Sequence, residues 1–412
     1  MSGSRKYRPL LILGALCLCI VGQFMLRAGR LSFGAISIVL ASLFFVVIFR
    51  DQSVPGHWLT VEPSERQLFN LNWWGVISLL FAILFAALAF WLFGEDIPEY
   101  FPWLAHRISI GLLIFSSFWL SKSVRGSENQ SNNQSNNKRW NWLEVGILLA
   151  IVGIAAFMRL YRFDQIPFGL WFDEAYNGLS ASLIFTYPEY LPVFVTPLPA
   201  HFLYLIAFFY KIFGVSVLGI RMVSVVFGIA TVLVSFFLGA ELFNRRLGLV
   251  LAFFIAVSRW DVNWSRIGMH GVSVPFFEIL STVLVLLALR KQNLVLYTLA
   301  GLSLGLGLCF YTPLYVFPVV IGIFLLFLWL HKRDVFVLSW RGFLFLGLGI
   351  IMISVPISQF AFRQTDSFSI RLKGASIFTG KSTQEAWNAV ARTPRDHLLM
   401  FNSHGDNNGR HN

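Results

Sequence analysis

Apolar runs of a length that crosses a bilayer recur from one end of this chain to the other, and no other feature restricts the fold as much. A spanning helix needs about 20 predominantly apolar residues, and such runs fall at 9–26, 31–49, 73–93 and 104–121. Further runs fall at 141–160, 220–242, 247–266, 271–290, 294–311, 314–330 and 341–361. In lipid every backbone N–H and C=O must be paired within the structure, which leaves only helices or closed barrels. The runs show no apolar/polar alternation, so they are not barrel strands. The predicted class is an all-α, polytopic integral membrane protein. Composition agrees: only 13% of the 412 residues are charged, against roughly 25% in soluble domains.

A net charge of +12 can signal nucleic-acid binding. Here the basic residues sit in short segments between apolar runs, the pattern of cytoplasmic loops, and no nucleic-acid partner is expected. Arg5, Lys6 and Arg8, then Lys122, Arg125, Lys138 and Arg139, then Arg245 and Arg246, Arg290 and Lys291, and Lys332 and Arg333 fall on one side if each run crosses once. That side is predicted to be cytoplasmic. Ser4-Arg5-Lys6 before an apolar run mimics a signal peptide, but no small-residue cleavage site follows, so the run reads as a first helix. Cys17, Cys19 and Cys309 lie within apolar runs, with no disulfide or zinc spacing.

The segment 122–140, with SENQSNNQSNNKR, is polar and low in complexity and reads as a cytoplasmic linker. It divides a four-helix module, 1–121, from a core, 141–361, and a tail, 362–412. Asn129 and Asn133 open sequons in this linker, where glycosylation is not expected. On the opposite side lies a long loop, 161–219. Two stretches within it, 174–186 and 200–213, are apolar but short and read as interfacial helices.

Asp173 and Glu174 open the first of these helices, between Trp171-Phe172 and Tyr176. Acidic residues at a helix start are ordinary structural chemistry, because they meet unpaired N–H groups. Their setting among aromatic side chains at a membrane surface also suits a partly desolvated general base. Deeper in the bundle, Arg259, Asp261 and Glu278 fall inside predicted spans, where charges pair or face a wet cavity. The expected arrangement is Arg259 paired with Glu278 or Asp261 on a cavity wall. In the tail, MFNSHGDNNGRHN gathers His404, Asp406, Arg410 and His411, either as a binding loop or as plain turn chemistry.

The order of these features over about 145–290 resembles the membrane-embedded GT-C glycosyltransferases, the dolichyl-phosphate-mannose protein mannosyltransferase and aminoarabinose transferase group. The residues that carry the likeness are Asp173-Glu174-Ala175-Tyr176, Thr196-Pro197-Leu198-Pro199, Phe213-Gly214-Val215-Ser216, Arg221, Phe243-Asn244-Arg245-Arg246 and Ser265-Arg266. The resemblance implies a GT-C helical bundle in a bacterial plasma membrane. It implies transfer of a sugar from a polyprenyl-phosphate donor to an acceptor hydroxyl at the extracytoplasmic face, the acceptor being protein, lipid or glycan. Inverting displacement needs a base on the acceptor side, and that role goes to Asp173. Glu174 holds the acceptor, orients Asp173 or ligates a divalent ion, the one metal the resemblance leaves room for. Arg266, Arg221 and His201 are the cations expected at the donor phosphate, His201 being displaced from the family's usual position by TPLPAH. Tyr176, Arg259, Asp261 and Glu278 are expected around the substrate cavity. By the resemblance, related bacterial chains continue with further spans after a similar segment, so the expectation is either a fragment of a longer chain or a chain in which the family's C-terminal part is absent. A transporter or flippase, and a non-catalytic envelope scaffold, are the rival readings. Transporters tend to show two similar halves, and none is visible here.

Overall fold

The computed structural model describes residues 72–125, 142–195 and 197–376, with isolated positions between 14 and 40 and short stretches between 378 and 390. Apart from those isolated positions the predicted spans 9–26 and 31–49, nearly all of the 122–140 linker and the His404, Asp406, Arg410 and His411 cluster lie outside the described residues. The chain divides into two compact units, one of residues 1–55 with 373–412 and the other of 56–372. In the first, Ser382 caps a short helical turn and exchanges hydrogen bonds with Glu385. All the elements that follow start in the second.

Two helices come first, α1 (Trp73–Leu92) and α2 (Tyr100–Arg125), followed by α3 (Trp142–Leu160) and α4 (Phe172–Thr186). A short hairpin follows, β1 (Phe194–Val195) against β2 (Leu198–Pro199), amid helices among the described residues. Then come α5 (His201–Phe213), α6 (Val217–Leu242), α7 (Arg245–Val257), α8 (Arg259–Trp264), α9 (Ser273–Lys291) and α10 (Leu294–Leu308). Helices α11 (Phe317–His331), α12 (Arg333–Ile353), α13 (Val355–Arg363) and α14 (Thr365–Ala375) complete the order. Among the described residues seven helical segments are long and apolar enough to cross a bilayer. The protein is a multi-pass integral membrane protein of helical class.

Side-chain size explains how the helices pack. In α1 the buried positions are Gly75, Ser78, Ala82, Ala86 and Ala89, a stripe of small residues that lets a neighbouring backbone approach closely. The same device joins α10 to α12: a Cβ added at Gly301 would lie 2.1 Å from the Leu346 carbonyl oxygen. Ala82, Ala86 and Ala89 of α1 share one core with Leu113 of α2, Leu289 of α9, Tyr297 of α10 and Leu346 of α12. Helices α1 and α2, assigned from sequence to a module at 1–121, share this core with the later helices of the same compact unit. A second core, around Phe202, Ile206, Tyr210, Val223, Phe227 and Phe277, joins α5, α6 and α9.

Two predicted spans differ from what forms. The run 247–266 is not one helix: it breaks at Ser258 into α7 and the six-residue α8. The run 341–361 begins earlier, at Arg333, and ends at Ile353, where Ser354 and Pro356 start α13. Proline at the opening of α13 lacks the N–H that a continuous helix needs. The two interfacial stretches do form helices, α4 and α5.

Ion pairs mark the two ends of the bundle. Arg245 meets Glu144 at 3.4 Å and Arg290 meets Glu241 at 3.1 Å, which gathers the start of α3, the end of α6, the start of α7 and the end of α9. The opposite end carries the paired charges described next.

Candidate active site

At the C-terminal end of α3 the chain makes a loop, 161–171, before α4 begins. Arg221, one turn into α6, is fully buried beneath this loop. Its Nε donates to Glu174 Oε1 at 2.7 Å, and one terminal nitrogen donates to the carbonyls of Phe163 (2.9 Å) and Pro167 (3.1 Å). The other donates to Gly169 O (2.6 Å) and Glu174 Oε2 (3.2 Å). A guanidinium carries five N–H groups and no acceptor, so these contacts engage every donor that Arg221 has. Glu174 is equally committed: its Oε1 also accepts from the Gly268 N–H at 3.0 Å, and its Oε2 from the Trp171 N–H at 3.4 Å.

Arg266 holds the same loop from its other side. It donates to the carbonyls of Met158 (2.7 Å), Tyr161 (2.5 Å) and Ile166 (3.0 and 3.2 Å) and is 8% exposed. Two buried guanidiniums thus fix the backbone between residues 158 and 169. Gly169 has φ 74°, a conformation open to glycine at little cost.

A third buried arginine, Arg159, stitches the break at Ser258. It pairs with Asp261, donates to the carbonyls of Ala256 (3.1 Å) and Ile255 (3.4 Å), and meets Ser265 Oγ at 3.2 Å. A helix end leaves carbonyls without intrahelical partners, and this side chain supplies the donors. The expected pairing of Arg259 with Glu278 or Asp261 is not formed: Arg259 is exposed, Asp261 takes Arg159, and Glu278 makes no ion pair among the described residues.

A cavity of about 370 Å³ opens beside Asp173. Phe172, Asp173, Tyr176 and Asn177 of α4 form one wall, and Val195, Pro197 and Leu198 of the hairpin form another. Trp264 of α8, Met269, His270, Gly271 and Tyr311 close it. Asn177 Nδ2 donates to Gly268 O at 2.9 Å and Tyr210 Oη to Gly178 O at 3.1 Å, which fixes α4 against its neighbours. The size falls within the range of roughly 300–1,000 Å³ usual for small-molecule sites. Of the adjacent carboxylates, Glu174 is withdrawn into the ion pair while Asp173 lines the cavity.

The structure shows where the three cations expected at the donor phosphate sit. Arg221 and Arg266 were expected at a donor phosphate, but backbone carbonyls and Glu174 occupy all the donors of Arg221, and carbonyls take all but one of Arg266. His201 was the third cation. It packs among Trp103, Tyr204 and Phe310, and its Nδ1 has no hydrogen-bond partner. Burial, with His106 nearby, lowers its pKa to about 4, so the ring is neutral near pH 7. Glu174, a possible divalent-ion ligand by the resemblance, accepts from Arg221 and from the Gly268 and Trp171 N–H groups through its two oxygens. Among the described residues no group of three or more His, Cys, Asp or Glu side chains is placed to hold a metal. Tyr176 does line the cavity, whereas Arg259, Asp261 and Glu278 do not. Sequence reasoning passed over Arg159, Asn177, Trp264 and His270. Only Arg159, a charge in the last turn of an apolar run, carried a signal.

Residues 197–358 match the family model described as dolichyl-phosphate-mannose-protein mannosyltransferase. The match spans 162 of the 412 residues, less than half of the chain. It takes in Arg221, Asp261 and Arg266 and begins after Asp173 and Glu174. No curated protein matches the chain.

Proposed function

We propose that this protein transfers a sugar from a polyprenyl-phosphate donor to an acceptor hydroxyl at the extracytoplasmic face, with inversion and with Asp173 as the base. The observation that carries the reading is the division between two neighbouring carboxylates. Glu174 is locked to Arg221 and organises the start of α4, while Asp173, one residue away, lies on the cavity wall. A base must reach the acceptor proton within hydrogen-bond distance, and a cavity carboxylate on a rigid helix start meets that need. Glu174 then acts by holding α4, the orienting role among those open to it.

The leaving group is an anion and calls for a cation. Arg221 and Arg266 are bonded to carbonyls, His201 is neutral and Arg259 lies outside the cavity lining, so we assign this role to none of the described residues. The lining of Trp264, Tyr176 and Tyr311 suits a sugar ring, whose apolar faces pack on aromatic rings. The acceptor class stays open among protein, lipid and glycan.

Glycosyl transfer in membranes holding equal amounts of wild type and Asp173→Asn tests the proposal. Loss of about a hundredfold, the lower end for removal of a positioned base, supports it. Undiminished transfer removes Asp173 from the mechanism.

A further inference from the structure

A second groove, of about 510 Å³, opens where the turn between α1 and α2 meets the end of α4. Ile97, Pro98 and Glu99 form one side, and Leu183, Tyr187, Glu189 and Tyr190 form the other. The two sides repeat one another in sequence. Ile97-Pro98-Glu99-Tyr100-Phe101-Pro102 and Tyr187-Pro188-Glu189-Tyr190-Leu191-Pro192 share Pro-Glu-Tyr and a proline two positions after the tyrosine. Hydrogen bonds sew them in place. Glu99 Oε2 accepts from the Leu191 N–H at 2.5 Å, Trp103 Nε1 donates to Leu191 O at 3.1 Å, and Tyr204 Oη donates to Pro192 O at 2.9 Å. The groove is therefore pre-formed, as binding sites usually are.

Its chemistry selects the occupant. Residues 94–103 and 187–199 hold Glu95, Asp96, Glu99 and Glu189 and no lysine, arginine or histidine, in a chain whose net charge is +12. Among the described residues no ion pair holds any of the four, and Arg363, which packs against Gly94, does not line the groove. Tyr187 and Tyr190 stand beside the carboxylates, and the faces of aromatic rings attract cations as carboxylates do. A neutral glycan would stack on the tyrosines but gain nothing from the charge, and an anionic headgroup would be repelled. The groove also continues along α4. Leu183 lies seven residues, two helical turns or about 10 Å, from Tyr176 of the cavity wall, with exposed Leu179 between them on the same face. An open track of that length suits an extended chain rather than an isolated ion.

We propose that the groove between the two Pro-Glu-Tyr segments binds a basic polypeptide segment, with a lysine or arginine side chain paired to Glu99 and Glu189 against the tyrosine rings. The main chain of that segment follows the exposed face of α4 toward the cavity. Glu99 keeps one oxygen for the ligand, since its hydrogen bond to Leu191 uses only Oε2. A guanidinium offers planar donors to carboxylates and stacks on aromatic rings, so arginine fits better than lysine. Elsewhere the net positive charge of the chain opposes such a ligand, which confines it to this groove. The binding depends on the groove alone and stands apart from the transferase reading.

Fluorescence anisotropy reads the binding. The full chain is held in phosphatidylcholine nanodiscs, whose zwitterionic headgroups do not gather cations, and is titrated with a fluorescein-labelled octapeptide of alternating arginine and serine. Peptides that alternate glutamine or glutamate with serine serve for comparison. The proposal requires saturable binding of the arginine peptide alone, weakened by salt. Glu189→Gln should raise its Kd several-fold, the scale of one exposed ion pair, and Tyr190→Ala by a similar factor, the scale of one cation–π contact. Asp334→Asn removes the same charge from the start of α12, outside the groove, and should leave the Kd unchanged. Equal affinity for all the peptides, or equal effects of Glu189→Gln and Asp334→Asn, overturns the proposal. Displacement of the arginine peptide by a neutral malto-oligosaccharide makes the groove a glycan site and overturns it too. So does absence of binding, whether the groove is empty or covered by a second copy. Should either groove variant fail to elute as a single species, the other decides.

Discussion

Replacing Arg221 by methionine removes the charge and all five donors while keeping an unbranched apolar side chain. Glu174 is then left fully buried without its counter-ion. Removing one partner of a buried pair costs about 3–5 kcal/mol, because the remaining charge stays desolvated. The freed carbonyls of Phe163, Pro167 and Gly169 lie on the loop side, where water can reach them once the clamp opens, so the ion pair dominates. At roughly 2 °C per kcal/mol for a large unit, the midpoint of thermal unfolding in detergent should fall by about 6–10 °C. Glu174→Gln alone should cost about 1.5–3 kcal/mol, the worth of hydrogen bonds to a charged group. In the double variant neither charge is stranded, so its loss should be smaller than the sum of the two single losses by about 1–3 kcal/mol. Arg221→Lys restores the charge but not the planar fork, and should recover only part of the stability. Strictly additive losses, or an unchanged midpoint for Arg221→Met, would refute the clamp.

Arg266→Lys should speed tryptic cleavage after Arg162 by several-fold, because the loop loses its second fork; cleavage at the wild-type rate would show that Arg221 suffices. Gly301→Ala puts a Cβ 2.1 Å from the Leu346 carbonyl oxygen and should lower the unfolding midpoint by forcing α10 from α12, at an overpacking cost of about 1–3 kcal/mol; an unchanged midpoint would mean that the helices separate freely. His201 holds its proton less firmly in the folded chain, at about 4, than the ordinary 6.5, so the unfolded state binds more protons between those values. Its contribution to stability is complete above pH 6.5 and is lost as pH falls toward 4, by up to about 1.4 kcal/mol per pH unit. His201→Gln should flatten the stability profile in that window, and parallel profiles for the two proteins would remove His201 as the cause.

The apolar runs announced the helical class and most of the spans because lipid imposes one length and one composition on them. The start of α4 was legible for a related reason: two acidic residues after an aromatic pair open a helix wherever its first N–H groups need acceptors. Other features left no trace. The carbonyls that Arg221 and Arg266 bind could not be read from the sequence, because every residue has one and these lie at sequence separations of 52 to 108. The break at Ser258 was hidden by the absence of glycine or proline there, and it forms because Arg159, about a hundred positions earlier, satisfies the carbonyls it frees. The four-helix module was inferred from a polar linker, yet α1 and α2 share a core with helices far beyond it.

The double clamp on the loop separates shape from sequence. Arg221 and Arg266 address main-chain oxygens, so the path of residues 158–169 is written mostly on α6 and on the segment after α8 rather than in the loop itself. Side chains at 163, 166 and 168 can be exchanged without removing an acceptor. The loop is therefore a natural place to graft new side chains, as a tether or a probe, so long as Gly169 and the two arginines are kept.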